Sequence, residues 1–197
     1  MPSAAILIAD GTEEMEFTIA FDTLVRAGVA CRSLFVPDPA SVTADAPVPL
    51  YATCSRGLRV VYDATLDIEA HTDFDALIIP GGAKGAETLS KTLTVQRLVR
   101  EYLEEGKLVG MICAGSLTAL TAQLPRQPLT SHPSVKTALE NDFDYSEDPV
   151  VISGKLVTSR GPGTTFPFAL TLVSILCGEQ TRAEVQAPMV FPTGTPF

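Results

Sequence analysis

The run Leu108-Val109-Gly110-Met111-Ile112-Cys113-Ala114-Gly115-Ser116 puts a cysteine at the end of an apolar stretch, with small residues directly behind it. A nucleophile elbow has this layout: a strand ends at the reactive residue and turns sharply into a helix. Small neighbours are needed because the turn is tight and the backbone must approach substrate closely. The sulfur would meet the unpaired N–H groups of a helix N-terminus, which favour a thiolate. A buried cysteine packed as a small hydrophobe fits the same residues. A second run, Asp10-Gly11-Thr12-Glu13-Glu14-Met15-Glu16, follows the apolar segment 4–9. Acidic residues suit a first helical turn, which accounts for Glu13 and Glu14. Glu16 lies deeper, between Met15 and Phe17, where burial would raise its pKa and keep it protonated.

Three further loops carry candidates. Pro80-Gly81-Gly82-Ala83-Lys84-Gly85 does not fit G-x-G-x-x-G. It reads as a plain turn or as a source of backbone N–H for an oxyanion, with Gly82 placed to donate. His132, in Thr130-Ser131-His132-Pro133, is either structural or a proton-transfer group near a thiol. Ser159-Arg160-Gly161-Pro162-Gly163-Thr164 is another turn between strand and helix. His71 lies in a polar connector and receives no role.

These loops need elements to hold them, and the pattern supplies short apolar runs alternating with helical periods. That alternation is the mark of an α/β sheet. Strands are expected at 4–9, 31–36, 58–62, 76–79 and 107–112, with a hairpin of 150–152 and 155–158 across Ser153-Gly154. Helices are expected at 13–27, 95–105, 114–122, 133–140 and 164–177. In the first of them Met15, Ile19 and Leu24 are among the apolar positions, and Gly28 closes it. Residues 37–52, with four prolines, read as an exposed loop, and 63–71 as a connector. The tail after Pro188 reads as loosely held.

The chain of 197 residues fits one domain. A chain of that length buries roughly 70% of its unfolded surface and needs no metal or disulfide staple. With 14 Lys and Arg against 23 Asp and Glu, the net charge of -9 argues against binding nucleic acid or an anionic membrane. Cys31, Cys54, Cys113 and Cys177 are widely spaced and include no C-x-x-C, so neither a disulfide framework nor a zinc site is expected. No basic leader precedes an apolar run, and no stretch approaches the roughly 20 apolar residues of a membrane span. The reducing cytosol is the default compartment, with nuclear or mitochondrial pools left open.

Together the segments resemble the ThiJ/PfpI superfamily, in its DJ-one branch. The motifs are Gly11-Thr12-Glu13-Glu14-Met15-Glu16, Pro80-Gly81-Gly82, Ile112-Cys113-Ala114-Gly115, His132-Pro133 and 158–164, and the likeness runs from Ala5 to about Val190. The resemblance implies a flavodoxin-like three-layer sandwich with a mainly parallel sheet and helices on both faces. It also implies a homodimer with Cys113 in a pocket near the subunit interface. In it Glu16 is the protonated carboxyl beside the cysteine, Gly82 and Ala114 supply backbone N–H groups, and His132 is the neighbouring histidine. Cys54-Ser55-Arg56 and Arg26 match segments at the dimer interface. The long loop 37–52 and the tail depart from the family pattern, and Ser116 stands where many relatives carry proline.

The activity implied is a cofactor-independent glyoxalase, with deglycase activity also claimed in the family, acting on methylglyoxal or related 2-oxoaldehydes. Cys113 attacks the aldehyde carbon, the N–H groups of Gly82 and Ala114 hold the alkoxide, and Glu16 and His132 move protons through an enediol. An amidotransferase reading fails because His132 is not followed by the needed His-x-Glu pattern. The alternative is a peroxide-sensing redox protein acting through oxidation of Cys113. A chaperone role would need an exposed apolar patch.

Overall fold

A computed structural model describes residues 1–40, 49–66 and 74–195. His71, most of the expected connector 63–71, the middle of the loop 37–52 and the last two residues lie outside the described residues.

Seven strands form the central sheet: β1 (Ser3–Ile8), β2 (Ala30–Phe35), β3 (Ala64–Thr65), β4 (Ala76–Ile79), β5 (Leu108–Ile112), β6 (Val150–Ser153) and β7 (Leu156–Ser159). Their order is β6-β7-β5-β4-β1-β2-β3. Every neighbouring pair is parallel except the β6–β7 hairpin at one edge. Parallel strands covered on both sides read as unbroken apolar runs rather than alternating ones, which is the pattern of β1, β4 and β5.

Alternate side chains of β1 go to two separate cores. Ala4, Ile6 and Ile8 meet α1 (Glu14–Arg26) and α6 (Thr165–Cys177) through Phe17, Leu24, Phe168 and Leu172. Ala5 and Leu7 face the other layer, where α2 (Ala83–Lys91), α3 (Leu93–Glu104) and α4 (Leu117–Thr121) contribute Leu89, Leu98, Tyr102 and Ala119. The flavodoxin-like sandwich expected from the motifs is therefore the fold observed. Packing is close: a Cβ on Gly110 of β5 would lie 2.9 Å from Phe168 Cζ.

This topology locates the site. From β1 the chain passes through α1 to β2 on one side, while β4 lies on the other side of β1 and leads into α2 on the opposite face. Open α/β sheets bind ligands in the crevice at such a switch, outside the carboxyl ends of the strands. The segment after β1 carries Glu13 and Glu16, the one after β4 carries Gly81 and Gly82, and the adjacent β5 ends at Cys113.

Several elements differ from the sequence expectation. The glycine-rich turn after β4 continues into α2, whose Gly85 is a packing residue: a Cβ there would stand 2.6 Å from Thr12 N. The strand expected at 58–62 shrinks to Arg59–Val60 and pairs with Ala52–Thr53 in a ribbon outside the central sheet. An unforeseen α7 spans Glu179–Gln186, and a further two-stranded ribbon joins Pro128–Leu129 to Asp144–Tyr145. The helix expected at 133–140 is a 3-10 turn, Pro133–Val135, followed by α5 (Lys136–Leu139). Met15 points outward, 52% exposed, rather than into the core. In the tail, Phe191 stands edge-on to Phe166 with ring centroids 5.0 Å apart.

Candidate active site

Cys113 follows β5 directly and has a φ of 62°. A non-glycine residue in the left-handed region is strained by about 1–3 kcal/mol, and such strain gathers at functional turns. The chain then makes a 3-10 turn, Cys113–Ser116, that leads into α4. Gly115 lets this turn press against β4, because a Cβ there would lie 2.6 Å from the Ile79 carbonyl oxygen.

Glu16 reaches the cysteine from α1. Glu13 caps that helix by accepting the Glu16 N–H at 2.8 Å, and the Glu16 side chain turns inward to become fully buried. Its Oε2 accepts the Gly81 N–H at 2.7 Å, and its carboxyl is hydrogen-bonded to the Cys113 thiol. Gly81 has no side chain because none fits: a Cβ would stand 2.6 Å from Cys113 Cβ, 2.7 Å from Glu16 Oε2 and 2.9 Å from Cys113 Sγ. Glu16 Oε1 is buried with no hydrogen-bond partner among the described residues.

Burial raises the Glu16 carboxyl to about 7, against the downward pull of the Cys113 and Gly81 hydrogen bonds. The Cys113 thiol is pushed up to about 12 by burial first, then by an ionised Glu16 beside it, while the N–H groups of Ala114 and Gly82 pull it down. A helix N-terminus therefore does not lower this thiol on its own, contrary to the sequence expectation. A 3-10 turn is a short element, and burial outweighs it. Two buried acids in contact do not both ionise, so the pair carries at most one charge near neutrality. The Gly82 and Ala114 N–H groups favour charge on Sγ, but burial and Glu16 outweigh them, so Glu16 ionises before Cys113.

Cys113 keeps 8% exposure at the floor of a cleft of about 350 Å³. Glu13, Ser55 and Arg56 are among the residues that line it on one part, and Leu117, His132 and Ser134 on another. The segment Cys54-Ser55-Arg56 is fastened to α1: the Ser55 hydroxyl and the Arg56 N–H donate to Glu14 at 2.6 and 2.7 Å. Cys54 itself is buried, its thiol pushed up to about 11 mainly by burial. His132 is half-buried, and its N–H donates to the Cys113 carbonyl at 3.3 Å. The fold thus gathers Cys113, Glu16, Gly82, Ala114 and His132 at one point. Two residues were missed by sequence reasoning: Gly81, whose N–H orients Glu16, and Ser134, which binds the His132 ring. The Gly-Gly pair and a serine two residues beyond a helix-capping histidine were the available signals.

A parallel α/β sandwich with a strained cysteine elbow and a buried carboxyl at its switch point defines a class of cysteine-dependent proteins. Within it, this chain belongs to the DJ-1/PfpI family, whose profile matches residues 2–175. It is 36% identical over 196 residues to the fission yeast (Schizosaccharomyces pombe) protein named glutathione-independent glyoxalase DJ-1, covering 98% of this chain and 100% of that one. It is 34% identical over 189 residues to the Caenorhabditis elegans glutathione-independent glyoxalase DJR-1.2, covering 95% of each. The solved structure of Schizosaccharomyces pombe DJ-1 superposes with a TM-score of 0.86 at 34% identity, over 96% of this chain and 100% of that one.

Proposed function

We propose that this protein is a cofactor-independent glyoxalase that converts methylglyoxal or a related 2-oxoaldehyde to a 2-hydroxy acid through a hemithioacetal on Cys113. The observation that carries the reading is the contact between the Cys113 thiol and a buried Glu16 whose carboxyl is raised to about 7. A carboxyl tuned close to neutrality suits proton shuttling. The names of the two glyoxalase relatives support the same activity.

The chemistry follows from the one proton the pair holds. As the Cys113 sulfur bonds to the aldehyde carbon its proton passes to the Glu16 carboxylate, and the resulting alkoxide, held by the Gly82 and Ala114 N–H groups, takes that proton from Glu16. The Glu16 carboxylate removes the hydrogen of that carbon, giving an enediolate with its charge on the former ketone oxygen, and returns the proton to the neighbouring carbon, while the hydroxyl proton of the first carbon passes to that oxygen. The first carbon is thereby oxidised to a thioester and the second reduced to an alcohol, with no external redox partner. Water cleaves the thioester to the 2-hydroxy carboxylate and one proton, and the Cys113 thiol is restored. Cys113→Ser should abolish lactate formation with the fold intact; full activity in that variant would end the covalent scheme.

A second reading uses the same groups. The N–H pair and the Glu16 O–H that would hold an alkoxide would equally hold the oxygens of an oxidised Cys113, which fits a peroxide sensor. Methylglyoxal consumption and the intact mass of peroxide-treated protein, followed on one preparation, separate the two. We also propose a homodimer built on the outer face of α1. Met15, Leu58 and Val61 are exposed at 52%, 51% and 79%, and Glu14 ties their segments together. Val61→Asp should shift the protein toward monomer in sedimentation, and an unchanged sedimentation coefficient would exclude this face. All four cysteines are free thiols, which supports placing the protein in the reducing cytosol.

A further inference from the structure

His132 caps the 3-10 turn Pro133–Val135 with its ring rather than with a hydroxyl or carboxyl. Its Nδ1 accepts the Ser134 backbone N–H at 3.1 Å and lies 2.8 Å from the Ser134 hydroxyl. A backbone N–H only donates. Nδ1 must therefore be the bare nitrogen of the neutral ring, and the ring proton sits on Nε2. The Ser134 hydroxyl can turn its proton toward the same lone pair and reinforce the assignment.

The backbone beneath the ring is pinned from four directions. The Thr130 carbonyl accepts the Ser116 hydroxyl at 2.9 Å, and the Thr130 N–H donates to Thr158 Oγ1 at 2.9 Å. The Ser131 carbonyl accepts the Tyr145 hydroxyl at 3.1 Å, and the His132 N–H reaches the Cys113 carbonyl at 3.3 Å. A Cβ on Gly161 would stand 3.5 Å from His132 Cδ2, the carbon bonded to Nε2, and 4.0 Å from Glu16 Oε1. That ring edge and the unpartnered carboxyl oxygen therefore both approach Gly161.

We infer that His132 serves this site as a hydrogen-bond donor through Nε2–H, not as a base, and that Ser134 is the positioning residue that sets this tautomer. The inference rests on the glyoxalase reading above and sharpens it. When Glu16 takes the carbon-bound hydrogen, negative charge develops on the neighbouring ketone oxygen, and Nε2–H stabilises it there. A neutral imidazole is suited to this electrophilic role. Nε2 already carries a proton and Nδ1 is occupied by Ser134, so the transfer from one carbon to the other falls to Glu16 alone. The sequence expectation that both residues shuttle protons is narrowed accordingly.

The test has a spectroscopic arm and a kinetic arm. Long-range proton–nitrogen NMR of the uniformly labelled full chain reads the tautomer of each neutral histidine. With only two histidines in the chain, His71→Gln assigns the spectrum. Wild type should show the Nε2–H form of His132, and Ser134→Ala should shift part of the population to Nδ1–H. In methylglyoxal turnover, Ser134→Ala should lower kcat several-fold with KM little changed. His132→Gln sets an amide N–H near the place of Nε2–H and should stay within about tenfold of wild type, whereas His132→Ala should lose about 100-fold, the usual order for a lost oxyanion donor. An Nδ1–H tautomer in wild type, or a Gln variant as slow as the Ala variant, overturns the inference. Should wild type itself fail to consume methylglyoxal, the glyoxalase reading falls first, and the NMR spectrum still decides the tautomer.

Discussion

Replacing Gly81 by alanine adds one methyl group at the point where the carboxyl and the thiol meet. Its carbon would stand 2.6 Å from Cys113 Cβ, 2.7 Å from Glu16 Oε2 and 2.9 Å from Cys113 Sγ. Carbon contacts settle near 3.5–4.0 Å, so the elbow and the carboxyl must part by about 1 Å. Gly81 is not among the residues with left-handed backbone, so alanine is sterically allowed there and the whole effect comes from the wedge. Overpacking of this kind costs about 1–3 kcal/mol. A misplacement of about 1 Å between reacting groups costs on the order of 100-fold in rate. The assay is lactate formation from methylglyoxal, with the urea midpoint measured on the same protein. Gly163→Ala is the control on the neighbouring loop, since a Cβ there meets nothing within 4 Å, and it should leave the rate unchanged. If Gly81→Ala turned over within about threefold of wild type, the carboxyl–thiol contact would not be what drives the reaction.

Other outcomes follow from the same groups. The Glu16 carboxyl is raised from 4.5 to about 7 in the folded state, so between those values the native protein keeps a proton that the unfolded chain has lost. The associated stability is full below about pH 4.5 and is lost as pH rises through 7, by a total on the order of 3 kcal/mol. Urea midpoints of wild type minus Glu16→Gln, taken from pH 4 to pH 8, should fall over that window; a flat difference would mean that Glu16 ionises normally. The φ of 62° at Cys113 makes Cys113→Gly more stable than Cys113→Ala by about 1 kcal/mol, and equal melting temperatures would remove the argument for a strained elbow.

How much of this could be read beforehand depended on how local the cause was. The elbow was legible because an apolar strand, a cysteine and three small residues are contiguous. Glu16 was legible because a carboxyl between Met15 and Phe17 breaks the polarity of its surroundings. Helix α2 was not, because its glycines and polar residues hide the period, and its Gly85 is chosen by contact with Thr12 from another strand end. Met15 misled for the opposite reason: an apolar residue on a helix signals burial, and this one points outward. The environment of the thiol was the least legible feature. It depends on the Gly81 N–H, 65 residues from Glu16 in the chain, and on burial that no local window reports.

That environment explains why one carboxyl can act first as an acid and then as a base. Once the thiol proton has moved to Glu16 and the sulfur carries the pair's charge, a second charge on Glu16 is opposed by repulsion in a buried site, so the carboxyl holds that proton. Once the sulfur is bonded to carbon, the charge passes to the alkoxide, which takes that proton, and the new thioether no longer repels a carboxylate. Ionising Glu16 is then hindered by burial alone, and a group raised to about 7 is a far better proton acceptor than an ordinary glutamate. Bond formation at Cys113 thus switches Glu16 from donor to acceptor in place. Its Oε1 has no partner among the described residues, while Gly81 keeps Oε2 against the sulfur.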